Sequence, residues 1–211
     1  MGGRAGGGGA GLGSRSGGGD ASMRHLSSSA QKALKEREDL IRNSGNEKIA
    51  LFDENGNLLY ENNKGGRSGI SIKAPDSVIE NSIITHNHPA INKKGALRSD
   101  GGGSFSEGDI TLAISKNAKE IRAVTGRYTY SIRRPKGGWS VDYEIKGKKF
   151  YKLGRYAYYE NKFKAAREKY IANYKGDKEL ARRRSFSTLY HRITKAWAKE
   201  MGVTYTVTKI K

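Results

Sequence analysis

Hydrophobic and polar positions change their period several times along the chain. Between Ser29 and Arg42, Leu34 and Ile41 stand at heptad spacing in a polar setting, which predicts a short helix. Lys48 to Phe52 is a compact apolar strand, and Asp53 to Asn57 is a turn with glycine where positive φ is expected. Leu58 to Tyr60 returns as the partner strand of a β-hairpin. Ile70-Ser71-Ile72 alternates as a third strand, Asp76 to Asn81 fits one or two helical turns, and Ile83 to His86 is a short β-branched strand. Ser106-Glu107-Gly108-Asp109 has the form of a capping box and opens a helix that runs to Asn117.

Ile121 to Val124 and Tyr128 to Ile132, joined at Gly126-Arg127, predict a second hairpin, with a further strand in the segment up to Tyr143. The period then becomes helical again. Tyr156, Tyr159, Phe163, Ala166, Tyr170 and Tyr174 form one stripe, and Gly176-Asp177 breaks it. Phe186, Leu189, Ile193, Trp197 and Met201 share a face of the next helix, which Gly202 ends, and Val203 to Val207 alternates as a last strand.

Composition adds a boundary. The chain has 211 residues, 35% of them hydrophobic, and 11 of its 28 glycines lie between Gly2 and Gly19. Residues 1–29 therefore read as a disordered Gly/Ser/Arg tail, followed by a core over 30–145 and a basic helical hairpin with a closing strand over 146–211. There is no cysteine, which excludes disulfides, Cys-ligated metal and a thiol nucleophile. The apolar runs are too short for a transmembrane helix or a secretory signal, so no membrane is expected.

Charge is unevenly placed within the net +19. Up to Asp109 there are 14 Lys and Arg against 13 Asp and Glu; from Ile110 onward there are 26 against 8. A half this basic attracts polyanions, nucleic acid or an acidic protein surface, or is a solvated basic surface. Arg182-Arg183-Arg184 is its densest run and a candidate phosphate clamp; the alternative is a solvated helix face.

The segment Ile83-Ile84-Thr85-His86-Asn87-His88-Pro89 carries the candidate chemistry. Residues two apart on a strand point to one side, so His86 and His88 can reach one ion. Asp109, in the first turn of the following helix, is the candidate third ligand. Two imidazoles and a carboxylate leave a fourth position of Zn2+ open to water, the form of a catalytic site. Glu47, at the start of the first strand, is the candidate proton acceptor.

A Glu at the start of a strand, then His86-x-His88-Pro89, then Ser106-x-x-Asp109, resembles the JAB/MPN (JAMM) metalloprotease family, and the His-Asn-His-Pro form is similar to its RadC-like branch. The resemblance covers roughly Glu47 to Ile132. It implies an α+β fold, a curved mixed β-sheet flanked by helices in a three-layer arrangement of the cytidine-deaminase-like kind. It also implies His86, His88 and Asp109 on zinc, Glu47 as general base, and Ser106 supporting the oxyanion. The stretch from Ile91 to Gly103 is long for the family and reads as an insertion, and the basic helical pair is an addition to that core.

The Met-Gly-Gly-Arg start, the Ser104 to Ile110 segment and the Trp197 to Gly202 ending resemble modules of phage head-morphogenesis and toxin-like proteins, which implies action in the bacterial cytoplasm or in a virion. The leading expectation is a zinc-dependent hydrolase of a peptide or isopeptide bond. A nucleic-acid-binding or nuclease-type toxin module, and a non-enzymatic phage head-associated structural protein, are the alternatives.

Overall fold

A computed structural model of the protein describes residues 21–67, 69–89 and 103–210, without the side chains of 21, 183, 184, 186 and 187. The Gly-rich stretch up to 20, most of the expected insertion, and the side chains of Arg183 and Arg184 lie outside the described residues.

The chain is a mixed α+β structure. Its helices are α1 (Ser28–Ile41), α2 (Asp76–Ile79), α3 (Glu107–Ser115), α4 (Tyr156–Ala172) and α5 (Lys178–Met201). Its strands are β1 (Ile49–Phe52), β2 (Leu58–Asn62), β3 (Ile83–Asn87), β4 (Glu120–Val124), β5 (Tyr128–Arg133), β6 (Val141–Ile145), β7 (Lys148–Tyr151) and β8 (Thr204–Lys209). Six strands form one sheet in the order β2-β1-β3-β4-β5-β8, and β6 and β7 form a separate two-stranded ribbon. Every neighbouring pair in the large sheet is antiparallel except β3 and β4, which run parallel with α3 in the crossover between them.

Strand alternation assigns side chains to two layers. Ile49, Leu51, Ile84, Ile121, Ala123, Tyr130 and Ile132 pack with α3 and with Leu189, Ile193 and Trp197 of α5. Ala50, Phe52 and Ile83 point the other way, onto Ala30 and Leu34 of α1. Helices thus cover both faces of the sheet. Trp197 is fully buried, and its indole Nε1 donates to the Leu153 carbonyl at 2.7 Å, so a large apolar ring is buried without an orphaned donor.

The tail expectation needs correction for residues 21–29. Ala21–Met23 form a 3-10 turn, Met23 and Leu26 are buried against α1, and Ser27 caps α1 by accepting from the Ala30 amide. His25, within the expected tail, is hydrogen-bonded to Glu120 at 2.7 Å. Two isolated apolar residues, Met23 and Leu26, in a polar, serine-rich stretch gave little periodic signal, yet the sheet face beside them needed covering.

Two further expectations shift. Ile70 and Ile72 form no strand and instead pack from an irregular segment against the main core. The tyrosine stripe of α4 is buried at Tyr156, but Tyr170 is half-exposed, because the helix outruns the core it packs on. α4 and α5 run antiparallel: Arg155 and Tyr159 meet Glu200, whereas Arg167 meets Ser185. β8 closes the sheet on β5, with Thr204 opposite Arg133 and Lys209 opposite Tyr128. No helix among the described residues is long and apolar enough to cross a membrane.

Candidate metal centre

The centre is built on β3, which lies between β1 and β4. His86 stands opposite Ile49 on one side and Ala123 on the other, and it is 3% exposed. Its neighbours Thr85 and Asn87 face α1, so alternation sends His86 and His88 to the same side. α3 begins beside them. Its N-cap Ser106 accepts from the Asp109 amide at 3.3 Å, and the Asp109 carboxylate accepts from the Ser106 amide at 2.7 Å. This reciprocal capping box fixes Asp109 in the first turn and aims it at β3.

The result is a tight triangle. His86 Nε2 lies 2.9 Å from His88 Nε2 and 3.2 Å from Asp109 Oδ1, and His88 Nε2 lies 3.4 Å from Asp109 Oδ2. Two donors on one tetrahedral ion with bonds of about 2.0–2.2 Å stand about 3.3–3.6 Å apart. The three groups fit a divalent cation to within a few tenths of an ångström. Among the described residues they are a group that could hold a metal ion.

The surrounding contacts suit ligation. His88 Nδ1 donates to the Gly103 carbonyl at 2.8 Å, which leaves Nε2 as the lone-pair nitrogen toward the triangle. His86 Nδ1 is buried with no hydrogen-bond partner among the described residues. Burial alone lowers the pKa of His88, but its hydrogen bond to Asp109, the charges of Asp109 and Glu47, and the Gly103 contact raise it to about 9. Burial would raise Asp109, yet both imidazoles hold it well below the usual carboxylate range. The three polar groups face one another with the Glu47 carboxylate beside them, an arrangement that suits a cation.

Glu47 shares the cleft with the triad. A cavity of about 490 Å³ is lined by Glu47, His86, His88, Ser106 and Asp109, walled by Ile70, Ile72 and Leu112. Burial raises the pKa of Glu47, the charges of His88 and His86 lower it, and Asp109 raises it again; the net shift is upward. A carboxylate moved toward neutrality suits proton exchange near physiological pH. All five residues singled out from the motif are thus brought together. Arg182 lies on α5 and is not among the described residues that line this cleft; the side chains of Arg183 and Arg184 lie outside the described residues.

The motif did not reveal what holds these groups. Asn87, between the two histidines, is fully buried and faces away from the triad. Its Oδ1 accepts from the Lys48 amide at 2.7 Å, and its Nδ2 donates to the carbonyls of Asn46 and Ser44. It therefore pins the segment that presents Glu47. Gly65 lies so close to that segment that a Cβ there would stand 2.3 Å from the Glu47 carbonyl oxygen, and only glycine fits.

A third support comes from the far end of the chain. Tyr205 of β8 is hydrogen-bonded to Ser104 at 3.0 Å and to His191 Nδ1 of α5 at 2.9 Å, and Tyr156 of α4 donates to the Phe105 carbonyl at 2.7 Å. The helical pair thereby clamps the 103–105 segment that orients His88. Local pattern carries no trace of contacts about 100 residues apart, although a Tyr flanked by Thr on a closing strand marks a polar group facing inward. No family model, no curated protein and no solved structure matches this chain.

Proposed function

We propose that this chain is a zinc-dependent hydrolase of the JAB/MPN type that cleaves a peptide or isopeptide bond, acting in the bacterial cytoplasm or in a virion. The observation that carries the reading is the convergence of His86, His88 and Asp109 within ligand-to-ligand distance in a cleft that also holds the buried carboxylate of Glu47. His86 Nε2, His88 Nε2 and an Asp109 oxygen would hold the ion. Zinc there supplies Lewis acidity and brings the pKa of water toward neutrality.

The chain's own groups do the rest. Glu47, raised by burial, takes a proton from the attacking water at its carboxylate and passes it to the leaving nitrogen. The two imidazoles keep Asp109 charged, and the Ser106 amide and hydroxyl, 2.7 and 2.8 Å from Oδ2, fix its geometry. The Ser106 hydroxyl is thus committed to Asp109, and support of an oxyanion requires it to turn away. Ile70, Ile72 and Leu112 shield the cleft from bulk water.

The test couples metal and reaction. Protein purified without chelator should carry about one zinc, and His86→Ala with His88→Ala should carry none. Glu47→Gln should keep the zinc and lose about 10²–10⁴-fold of its hydrolysis of casein peptides. Full zinc occupancy in the double variant, or an unchanged rate in Glu47→Gln, overturns the reading.

A further inference from the structure

We propose that the β6–β7 ribbon and the basic cleft along it are a docking surface for an acidic, extended segment of a polypeptide substrate, leading that segment to the metal centre. The hydrolase reading supplies the reaction; the docking itself does not depend on it.

Position comes first. A cleft of about 830 Å³ is lined by β7, by Lys152 and Arg155 beyond it, and by Asp76 and Lys116. Asp76 and Lys116 also line the cleft of the metal centre, so the two spaces adjoin along one wall. Lys116 Nζ bridges the Asp76 carboxylate at 2.7 and 2.9 Å across that wall. A chain lying along the ribbon therefore runs up to the wall that the two clefts share, one residue layer from the metal centre.

Charge selects the partner. Between Val141 and Arg155 the sequence carries five Lys and Arg against Asp142 and Glu144. Arg155 is held by Glu200 at 3.1 Å, whereas Lys148, Lys149 and Lys152 have no ion-pair partner among the described residues. Three ammonium groups without a carboxylate partner, Lys148 lying over the Phe150 ring at 5.6 Å, favour carboxylates through both encounter rate and selectivity against basic chains.

Shape and apolar surface favour a polypeptide over a nucleic acid. Val141, Tyr143, Ile145 and Leu153 are 46%, 51%, 55% and 39% exposed. Tyr143 stands opposite Phe150 in register, their rings stacked with centroids 4.7 Å apart, and Ile145 stands opposite Lys148 on the same face. The ribbon has only two strands, joined at Lys146 and Gly147, both at positive φ. Among the described residues no further strand pairs with either outer edge, so each presents amides and carbonyls that an extended peptide completes and a nucleic acid does not. At about 3.3 Å per residue, β7 accommodates roughly four substrate residues.

The test is anisotropy of a fluorescein-labelled dodecapeptide alternating Asp or Glu with Val or Ile, measured on the full chain with and without chelator. The wild type should bind it in both conditions and bind the Lys-substituted counterpart at least about tenfold more weakly. Lys148→Glu with Lys149→Glu and Lys152→Glu should lose about tenfold or more while circular dichroism and zinc content stay unchanged. The Gln version of the same triple variant should fall between the two, and Glu47→Gln should bind as wild type. Unchanged affinity in the triple variant overturns the proposal, as does displacement of the peptide by dT12 with the same loss in that variant. Binding without any hydrolysis would leave docking standing and remove the hydrolase reading. Hydrolysis of acidic and neutral peptides at equal rates, unaffected by the triple change, would do the reverse.

Discussion

The two faces of the sheet each carry a buried polar cluster, and β3 and β4 separate them by a single residue step. On the α1 face, Arg122 is fully buried; its Nε donates to Glu38 at 2.6 Å and its Nη1 to Glu120 at 2.7 Å. Ser131 donates to Glu120, Thr85 donates to Glu38, and His25 closes the far side. On the opposite face, His86, His88 and Asp109 point at one another and open into a cleft. Both clusters hold charge out of water. In the first, anions and cation satisfy each other and the N-terminal segment covers them. In the second, the donor atoms converge on a point that could hold a cation. Closure suits a cluster that specifies the fold; convergence on an open cleft suits one that could hold an ion.

The sharpest way to break this comparison is to unpair the closed cluster. Glu38→Ala leaves the Arg122 guanidinium buried with one carboxylate fewer, and should cost about 3–5 kcal/mol of stability, read as a shift of the urea midpoint. His88→Gln, measured with chelator present, should shift the midpoint by much less. Equal losses on the two faces would show that the metal face is also a structural cluster.

The pH dependence of stability separates the faces next. In chelated protein the raised pKa of His88 contributes stability that is complete below its ordinary value of 6.5 and is lost as pH rises through about 9. Asp109 and Glu120 are both depressed, so their contributions hold above their ordinary values of 3.8 and 4.5 and are lost as pH falls through the lower folded values. The α1 face should therefore weaken only toward acid, and the metal face toward both ends. Asp109→Asn should flatten the alkaline limb between about pH 7 and 9 and leave the Glu120 part of the acid limb intact, as urea midpoints across pH would record.

A smaller effect tests the clamp from the C-terminal strand. Tyr205→Phe removes the hydroxyl shared by Ser104 and His191 while keeping the ring against Phe105. Zinc affinity should fall about 10–100-fold, measured by competition with a chromophoric chelator, with little change in melting temperature. An unchanged affinity would confine Tyr205 to packing.

Much of this was legible in order and little of it in depth. Both hairpins, the capping box at Ser106, the αL glycine Gly202 that ends α5 and the turn glycine Gly56 follow from local rules, because turn geometry and caps are set by residues within four positions of each other. The triad and Glu47 were legible for a related reason: strand alternation puts His86 and His88 together, and the cap places Asp109.

Tertiary structure alone decided the rest. Ile70 and Ile72 alternate like a strand, but β2 is the edge of the sheet and no further strand pairs with it. Arg122 and Glu120 sit in a β pattern that reads as half-solvated, and only α1 and His25 folding over them turn that side into an interior. Asn87 looked like a spacer between ligands, yet the same alternation that aims the histidines inward sends it to hold the segment of Glu47. The sequence carried which residues could reach a metal and most of the turns and caps, since those depend on neighbours along the chain. It left to the tertiary structure which polar groups are satisfied, what clamps the ligands and which cleft adjoins them, because each depends on partners brought together only when the sheet closes.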